Sequence, residues 1–357
     1  MPIALHVVHS LDFGGVESHM KIINAHQEKS VYEHIFCAIS AGGNAQKSIE
    51  QAGGRVEVFG LRDSIPSLWT IIKLVQYFRR VQPDVIHCHG AEANFHGILA
   101  AYLAGVKVRV AEEIGIPEHS WIATVIFRGV YAISTRCLAV AQSVAMEMVR
   151  LGEIKLGRVE ILNNPAPLPP MRENPPCSDQ ITIGYVGRLE PVKNPVSIVD
   201  TVYLLRQRGV DASAIIVGEG SLKSSLENRI LSFDLFEHVK LLGFQELPFE
   251  AIKDCSFFVQ PSISEGLSLA LVEAMSLGIP VVVSANGGGS EVVQDRVTGF
   301  LLQIPQAAQI ATSIEDWMVL SASERLAMVD NARSSVIERF SASRYFEGVD
   351  RLYGEAG

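Results

Sequence analysis

Short apolar segments alternate with longer amphipathic segments along almost the whole chain, and this alternation limits the fold more than any other feature. β-branched runs such as residues 3–9 and 85–88 predict strands, and segments with helical spacing such as 65–81 lie between them. The alternation pauses after residue 162 and restarts at residue 181. A repeated strand and helix order predicts parallel sheets covered by helices on both faces. We therefore predict two doubly wound α/β domains.

Proline marks the boundary between the two domains. Six prolines lie within residues 165–176, where they fix φ and remove backbone donors that a helix or a central strand needs. We predict a first domain at residues 1–164, a linker at 165–180, a second domain at 181–340, and a C-terminal helix at 341–357 that can return to the first domain. Ligands of open parallel sheets bind at the carboxyl ends of the strands. Two such domains facing each other predict a cleft with one ligand surface from each.

Composition excludes several classes of protein. A net charge of −9 disfavours binding to nucleic acid, which needs a basic surface. The longest apolar run, residues 98–106, is shorter than a membrane span, and the first ten residues lack a secretory pattern, so we expect a cytoplasmic protein. Five cysteines without a Cys-x-x-Cys pair argue against disulfides and zinc knuckles.

A glycine and two cations follow the first predicted strand of the second domain. Gly187 lets the chain turn, and Arg188 and Lys193 come before the next helix. Fixed cations at the carboxyl end of a strand suit a diphosphate. Taken alone they would be read as solvated surface charges. An acidic motif further along the same domain favours the diphosphate interpretation.

That motif consists of two glutamates eight positions apart. Glu265 comes just before a predicted helix, and we place Glu273 two turns inside it. Gly266 permits close approach of the backbone, and the amides near Leu267 and Ser268 predict an anion site reinforced by the helix dipole. Partly buried carboxylates can accept hydrogen bonds from sugar hydroxyls. Each glutamate alone would instead be read as dipole compensation or as a solvent-facing residue.

In this order along the chain, the motifs resemble those of the retaining glycosyltransferases of glycosyltransferase family 4, whose GT-B architecture has two facing Rossmann-like domains. The resemblance covers essentially the full length. It implies that Glu265 contacts hydroxyls of the transferred sugar and that Glu273 contacts the ribose. It also implies that Arg188 and Lys193 bind the donor diphosphate.

Further segments match elements of the same family. Gly14 and Gly15 match a flexible loop near the donor phosphate and the acceptor. Gly218, Gly243 and Phe244 lie where the family shapes the nucleotide pocket. The resemblance extends to the interdomain crossover, at residues 163–165.

The sequence lacks the Asp-x-Asp motif that usually holds a diphosphate-bound metal. We therefore expect no required metal and no cofactor, with Arg188, Lys193 and the helix terminus neutralising the leaving group. A dinucleotide site is disfavoured because Gly218-x-Gly220 is followed by Lys223 where the fingerprint needs a third glycine.

Histidines mark the predicted acceptor side in the first domain. His87 and His89 end a strand where the family commonly carries histidines, and they are either polar residues of the site or hydrogen-bonded core residues. The consecutive run His87, Cys88 and His89 cannot converge on one zinc ion, because adjacent side chains of a strand point to opposite faces.

The family often places another histidine after the next strand, near the acceptor hydroxyl, and this chain has Glu112 and Glu113 there. Glu113 is our first candidate for the hydrogen-bond acceptor of the nucleophile, with Glu112 and His119 as alternatives. In a same-face displacement the departing diphosphate oxygen can itself take the proton. A double displacement would need a carboxylate beside the anomeric carbon, and the sequence nominates none.

These features predict transfer of a hexose from a nucleoside-diphosphate sugar to a hydroxyl of a glycan or lipid-linked acceptor. We expect retention of anomeric configuration, a UDP-sugar rather than a GDP-sugar, and a role in cell-surface polysaccharide assembly. One alternative is a partner subunit that binds a sugar nucleotide without catalysis. A more distant alternative is a sugar-nucleotide epimerase.

An apolar and basic face in the first domain has two interpretations. We favour ordinary packing of helices against the sheet, and the alternative is a peripheral contact with the inner face of the cell membrane. The residues concerned are Trp121, Ile122, Val125, Ile126, Phe127, Tyr131 and Arg128, with Lys73, Arg79 and Arg80.

Overall fold

A computed structural model describes residues 1–12, 15–61, 65–172, 180–286 and 288–355. The chain divides into two compact units. The first unit contains Met1–Ala166 and Phe340–Gly357, and the second contains Pro167–Arg339. Each unit is built around one parallel sheet with helices on its faces, which confirms the predicted fold class.

The first sheet has seven strands in the order β3-β2-β1-β4-β5-β6-β7. The order reverses direction between β1 and β4, which is the switch point where doubly wound sheets bind ligands. Its strands are β1 (Ile3–Val8), β2 (Glu33–Ala38), β3 (Val56–Val58), β4 (Val85–His89), β5 (Val108–Glu113), β6 (Arg136–Ala139) and β7 (Val159–Ile161).

In the described part of this unit, six α-helices connect the strands, and a seventh comes from residues 342–354. Ser67 and Ser120 cap two of the connecting helices by accepting hydrogen bonds from the backbone N–H groups of Thr70 and Ala123. The helices are α1 (Gly15–Ala25), α2 (Asn44–Gln51), α3 (Leu68–Val81), α4 (Ala91–Ala104), α5 (Trp121–Ile133), α6 (Gln142–Arg150) and α14 (Ala342–Gly354).

The C-terminal helix α14 completes the core of the first unit. Its buried face, which includes Tyr345, Phe346 and Val349, packs with buried residues of β1 and α1. The carboxylate of Asp350 accepts hydrogen bonds from Ser30 Oγ at 2.7 Å and from the Val31 N–H at 3.0 Å. The last helix is therefore part of the first unit.

The second sheet has six strands in the order β10-β9-β8-β11-β12-β13, with its switch point between β8 and β11. Its strands are β8 (Ile181–Val186), β9 (Ala212–Val217), β10 (Val239–Gly243), β11 (Phe257–Gln260), β12 (Val281–Ser284) and β13 (Phe300–Leu302). Its helices are α7 (Val196–Gln207), α8 (Lys223–Ser232), α9 (Pro248–Ile252), α10 (Leu269–Ser276), α11 (Gly289–Val292), α12 (Ala307–Val319) and α13 (Ala322–Phe340).

The described part of the predicted linker packs on the second unit. Arg172 Nη1 donates to the carbonyl of Cys255 at 2.7 Å, and Ser276 Oγ donates to the carbonyl of Pro169 at 2.8 Å. The remaining residues, 173–179, lie outside the described part of the chain, and Cys177 is among them. The other four cysteines are buried and free.

Within the ranges that the structure describes, no helix is both long enough and apolar enough to cross a lipid bilayer.

Candidate active site

The first unit has a pocket of about 360 Å³ at the carboxyl end of its sheet. Residues that follow β1, β4 and β5 line it, so it lies at the switch point of the strand order. Its walls include Ser10, Glu17, His89, Glu113, Glu118 and His119. Ser10 Oγ donates to Glu17 Oε1 at 3.1 Å, which ties the start of α1 to the end of β1.

Glu113 is the acidic residue at the end of β5 that lines this pocket. Its Oε1 accepts hydrogen bonds from the Tyr131 hydroxyl at 2.7 Å and from Asn94 Nδ2 at 2.9 Å. Burial raises the pKa of Glu113 to about 7, although these two hydrogen bonds act in the opposite direction. The carboxyl group can therefore exchange a proton near neutral pH.

His119 lies on the same pocket and has a carboxylate partner. Its Nδ1 is 2.5 Å from Glu153 Oε1, and its ring stacks on Phe127 with centroids 4.4 Å apart and planes within 8°. Burial raises the pKa of Glu153. When the carboxylate accepts from Nδ1–H, Nε2 of His119 is the acceptor nitrogen. No sequence motif points to Glu153, which lies 34 positions from His119.

The structure separates the other acceptor-side candidates by burial. His89 lines the pocket, whereas His87 and Glu112 have no exposed surface. His87 Nδ1 is 2.7 Å from the hydroxyl of Tyr353 on α14. Glu112 Oε2 accepts a hydrogen bond from His89 Nδ1. Glu112 and Glu113 point to opposite faces of the sheet because they are adjacent on one strand.

Gly15 begins α1, which follows the glycine-rich loop after β1. Its predicted partner Gly14 lies outside the described residues.

In the second unit, the structure brings two predicted site residues into contact. Lys193 Nζ donates to Glu265 Oε2 across 72 positions of sequence, and both side chains are 17% exposed. The same carboxylate oxygen accepts from Gln260 Nε2 at 3.1 Å and from Ser262 Oγ at 3.2 Å. Lys193 follows β8 and Glu265 follows β11, so the pair lies at the switch point of the second sheet.

Arg188 is exposed on the loop that leaves β8 after Gly187. The hydroxyl of buried Tyr185 donates to the carbonyl of Arg188 at 2.9 Å. Burial raises the pKa of Tyr185, the charge of Glu265 raises it further, and the charge of Arg188 lowers it.

Two glycines allow the loops of this site to lie close together, because they have no side chain. Gly218 has φ = 141°, and a Cβ there would lie 1.9 Å from the carbonyl oxygen of Gly187. A Cβ on Gly288 would lie 1.6 Å from the carbonyl oxygen of Gly266. No other residue fits these contacts without moving the backbone. No sequence motif points to Gly288, whose neighbours in sequence are also glycines.

The acidic motif differs in one respect from our prediction. Ser268 is the N-cap of α10 and accepts a hydrogen bond from the Leu271 N–H at 3.3 Å. The helix thus begins at Leu269, and Glu273 is its fifth residue, half-buried and about one turn inside rather than two. Gly266 and Leu267 lie before the cap.

The residues predicted to shape the nucleotide pocket follow β9 and β10. The N–H of Gly218 donates to the carbonyl of Gly243 at 2.9 Å, which joins the ends of these neighbouring strands. Gly243 has φ = 66°, and the side chain of Phe244 is 56% exposed. Phe244 thus presents an aromatic ring at the carboxyl edge of the second sheet.

Comparisons with known proteins agree with this arrangement. Residues 171–335 match the family model "Glycosyl transferases group 1", and residues 13–168 match "Glycosyltransferase Family 4". The chain is 25% identical over 307 residues to the putative glycosyltransferase EpsF of Bacillus subtilis, covering 78% of each chain. It is 23% identical over 313 residues to an Escherichia coli UDP-Gal:alpha-D-GlcNAc-diphosphoundecaprenol alpha-1,3-galactosyltransferase, covering 81% of this chain and 80% of the relative.

A solved structure shows the same fold over the full length. The crystal structure of Anabaena Alr3699/HepE in complex with UDP and glucose superposes with a TM-score of 0.81 at 21% identity, covering 99% of both chains. The two family models match one unit each, and both describe glycosyltransferases. The chain is accordingly a glycosyltransferase of the GT-B architecture.

Proposed function

We propose that this glycosyltransferase moves a hexose from a UDP-sugar to a hydroxyl of a glycan or lipid-linked acceptor, with retention of anomeric configuration. The observation that carries the proposal is the contact of Lys193 with Glu265 at the switch point of the second sheet. A cation for the diphosphate and a carboxylate for the sugar hydroxyls are thereby held in one place. The E. coli relative is named for a UDP-galactose donor and a lipid diphosphate acceptor, which supports both substrate classes.

On the donor side, Lys193 can exchange its partner when a diphosphate binds. Phosphate oxygens compete with Glu265 for the ammonium group, and Arg188 supplies a second cation on the same loop. Glu265 then keeps its hydrogen bonds from Gln260 and Ser262 while its free lone pairs accept from sugar hydroxyls. Negative charge that develops on the leaving diphosphate is stabilised by these cations, without a need for a metal ion.

On the acceptor side, the pocket of the first unit offers two groups that can accept a hydrogen bond from the nucleophilic hydroxyl. Glu113 is held by Tyr131 and Asn94, and His119 is held by Glu153. We assign the acceptor hydroxyl to Glu113 because it lies at the end of a central strand, fixed by two hydrogen bonds. In a same-face displacement the departing phosphate oxygen takes the proton, so Glu113 orients the hydroxyl.

A donor panel tests this function directly. At a hundred times its dissociation constant, the correct sugar nucleotide should add about 2.7 kcal/mol of stability and raise the unfolding temperature by roughly 5–10 °C. We expect UDP-sugars to do so and GDP-sugars not. With a lipid-linked glycan acceptor and no added Mg²⁺ or Mn²⁺, UDP should be released and NMR should show the donor's anomeric configuration in the product. Inversion, or donor binding without turnover over a broad acceptor panel, would contradict the proposal.

A lipid-linked acceptor also requires access to a membrane surface, and the first unit exposes apolar residues suited to it. The packing that we favoured from sequence holds for Phe127 and Tyr131, which are buried, but not for the start of α5. There Trp121 is 78% exposed, and Ile122 and Val125 are more than half exposed. Large apolar side chains exposed together mark interaction surfaces.

The start of α3 exposes a second apolar group, at the same edge of the sheet because both helices follow parallel strands. Leu68 is 72% exposed and Trp69 is 59% exposed, with Lys73 Nζ 4.8 Å from the centroid of the Trp69 ring. Arg79 and Arg80 do not join this group, since Arg79 donates to the Leu103 carbonyl and Arg80 pairs with Glu57. We propose that these two helix starts contact the inner face of the cell membrane.

Liposome flotation tests this contact. Wild-type protein should float with vesicles of phosphatidylglycerol and phosphatidylethanolamine, and the double variant Trp121→Ser, Ile122→Ser should lose roughly 10- to 100-fold in partitioning. Val319→Ser is the matched control, because Val319 is 83% exposed in the second unit. Absence of flotation at low salt, or equal loss in the control, would remove the membrane contact.

A further inference from the structure

Five histidines and a glutamate are packed together in the core of the first unit. This histidine cluster consists of His6 on β1, His19 on α1, His34 on β2, His87 and His89 on β4, and Glu112 on β5, and each is at most 2% exposed. The strand register assembles it, since His6 pairs with His87 and His89 pairs with Glu112 in neighbouring strands. Cys88 points to the opposite face, where its Sγ lies against Gly97 of α4.

Hydrogen bonds satisfy only part of the cluster. His6 Nδ1 is 2.9 Å from His89 Nε2, and His6 Nε2 is 2.8 Å from His34 Nδ1. Several other polar atoms have no hydrogen-bond partner in the described structure although they are fully buried. They are both ring nitrogens of His19, Nε2 of His34, Nε2 of His87 and Oε1 of Glu112. Buried polar atoms almost always have a partner, so this concentration of unpaired atoms points to a bound group.

The charges of the cluster favour a cation. Glu112 is a fully buried acid, and in the described part of the chain its ion-pair partners are His87 and His89. An acid buried among imidazoles offers a cation one carboxylate oxygen and several ring nitrogens as ligands.

We propose that His19, His89 and Glu112 bind a Zn²⁺ ion. Their ligand atoms all lie within 4.8 Å of one another. A tetrahedral zinc ion with bonds of about 2.0–2.2 Å needs ligands about 3.4 Å apart, which the ring of His19 can approach by rotating, since no hydrogen bond holds it. Two imidazoles and one carboxylate are ordinary zinc ligands.

A second set, His6, His87 and His89, also has its ligand atoms within this distance. It fits less well because it lacks a carboxylate, so it offers no negative charge to offset that of the ion. The proposed ion would join α1 to β4 and β5 directly under the pocket. Its role is to hold the pocket wall, and it is separate from the neutralisation of the donor diphosphate in the other unit.

Metal titration of the full-length chain, freed of tag and metal and without sugar nucleotide, tests the proposal. We expect one Zn²⁺ per chain by calorimetry. Co²⁺ should give the intense visible bands of four- or five-coordinate cobalt, which Zn²⁺ abolishes by competition. The cobalt spectrum is recorded on the wild type, so it tests metal binding even if a substitution impairs folding. Absence of stoichiometric binding, as expected if a buried water satisfies these atoms, would overturn the proposal.

Variants assign the ligands. His19→Gln and Glu112→Gln should each lower zinc affinity by at least about a hundredfold. His34→Gln is the matched control, since His34 is buried in the same cluster but belongs to neither ligand set. His26→Gln tests an exposed histidine. Both controls should keep the affinity within about threefold. Equal losses in His34→Gln or His26→Gln would show binding elsewhere and would contradict the assignment.

Discussion

Replacing Lys193 by methionine should lower kcat by about two to three orders of magnitude, because the leaving diphosphate loses a preorganised cation. Lys193→Arg should restore part of the rate, since it returns the charge with a different geometry. The measurement is UDP release in the presence of acceptor at saturating donor. Lys193 also neutralises Glu265 before the donor binds, so the unfolding temperature of each variant should be compared with its activity.

Lys223→Met is the matched control for this effect. Lys223 lies in the same unit and forms an ion pair with Glu219 at 3.0 Å, but its side chain is 44% exposed. Loss of an exposed pair costs little stability. The control should keep kcat within about twofold of the wild type. A nearly normal kcat of Lys193→Met would contradict the assignment of Lys193 to the donor site.

Glu113→Gln should lower kcat/KM for the acceptor by about a hundredfold at pH 8. In the wild type this parameter should rise with pH through about 7, because the carboxyl group must ionise to accept the nucleophile's hydrogen bond. The variant has no such ionisation, so its profile should be flat. The ratio of wild type to variant should therefore shrink at pH 6, where most of the wild-type carboxyl is protonated.

Glu113→Gln should lower activity at pH 8, but it should not lower the stability of the fold. The pKa of Glu113 is raised from 4.5 to about 7, so in this pH window the folded state keeps a proton that the unfolded state has lost. Stability from this group is present below pH 4.5 and is lost as pH rises to about 7, a cost of roughly 3 kcal/mol. At pH 8, Glu113→Gln should thus unfold at the same or a higher temperature than the wild type.

Glu118→Gln provides the control for both measurements, because Glu118 lines the same pocket but is exposed. It should keep both the activity and the pH profile. If Glu118→Gln loses as much acceptor efficiency as Glu113→Gln, the loss reflects the charge of the pocket and not a positioned carboxylate.

The fold could be predicted from sequence because a buried parallel strand is a continuous β-branched run and a covering helix has a regular apolar stripe. The exceptions are informative. Residues 29–54 show no clear strand or helix pattern in sequence, yet the structure has β2 and α2 there. β2 begins with Glu33 and His34, which interrupt the apolar run, and α2 buries only Ala45 and Ile49. These two elements are stabilised by packing against neighbouring strands and helices, because their own sequence pattern is weak.

The candidate site was predictable where function resides in a local motif. Lys193 and Glu265 each belong to a short segment whose residue types indicate a binding role, and the structure brings them into contact. The partners that set the chemistry of the acceptor pocket were not predictable. Tyr131, Asn94 and Glu153 come from different helices and loops, and only the folded arrangement places them beside Glu113 and His119.

The discontinuity of the first unit affects how this protein is made and how it can be dissected. The ribosome delivers β1 to β7 first and α14 last, with the whole second unit synthesised in between. Before α14 is synthesised, the first unit lacks a helix that packs in its core, together with the contacts of Tyr353 with His87 and of Asp350 with Ser30. Truncation within α14 would thus destabilise the unit that contains the first 166 residues. Anyone expressing the first unit alone should splice residues 340–357 onto residue 166 through a short linker.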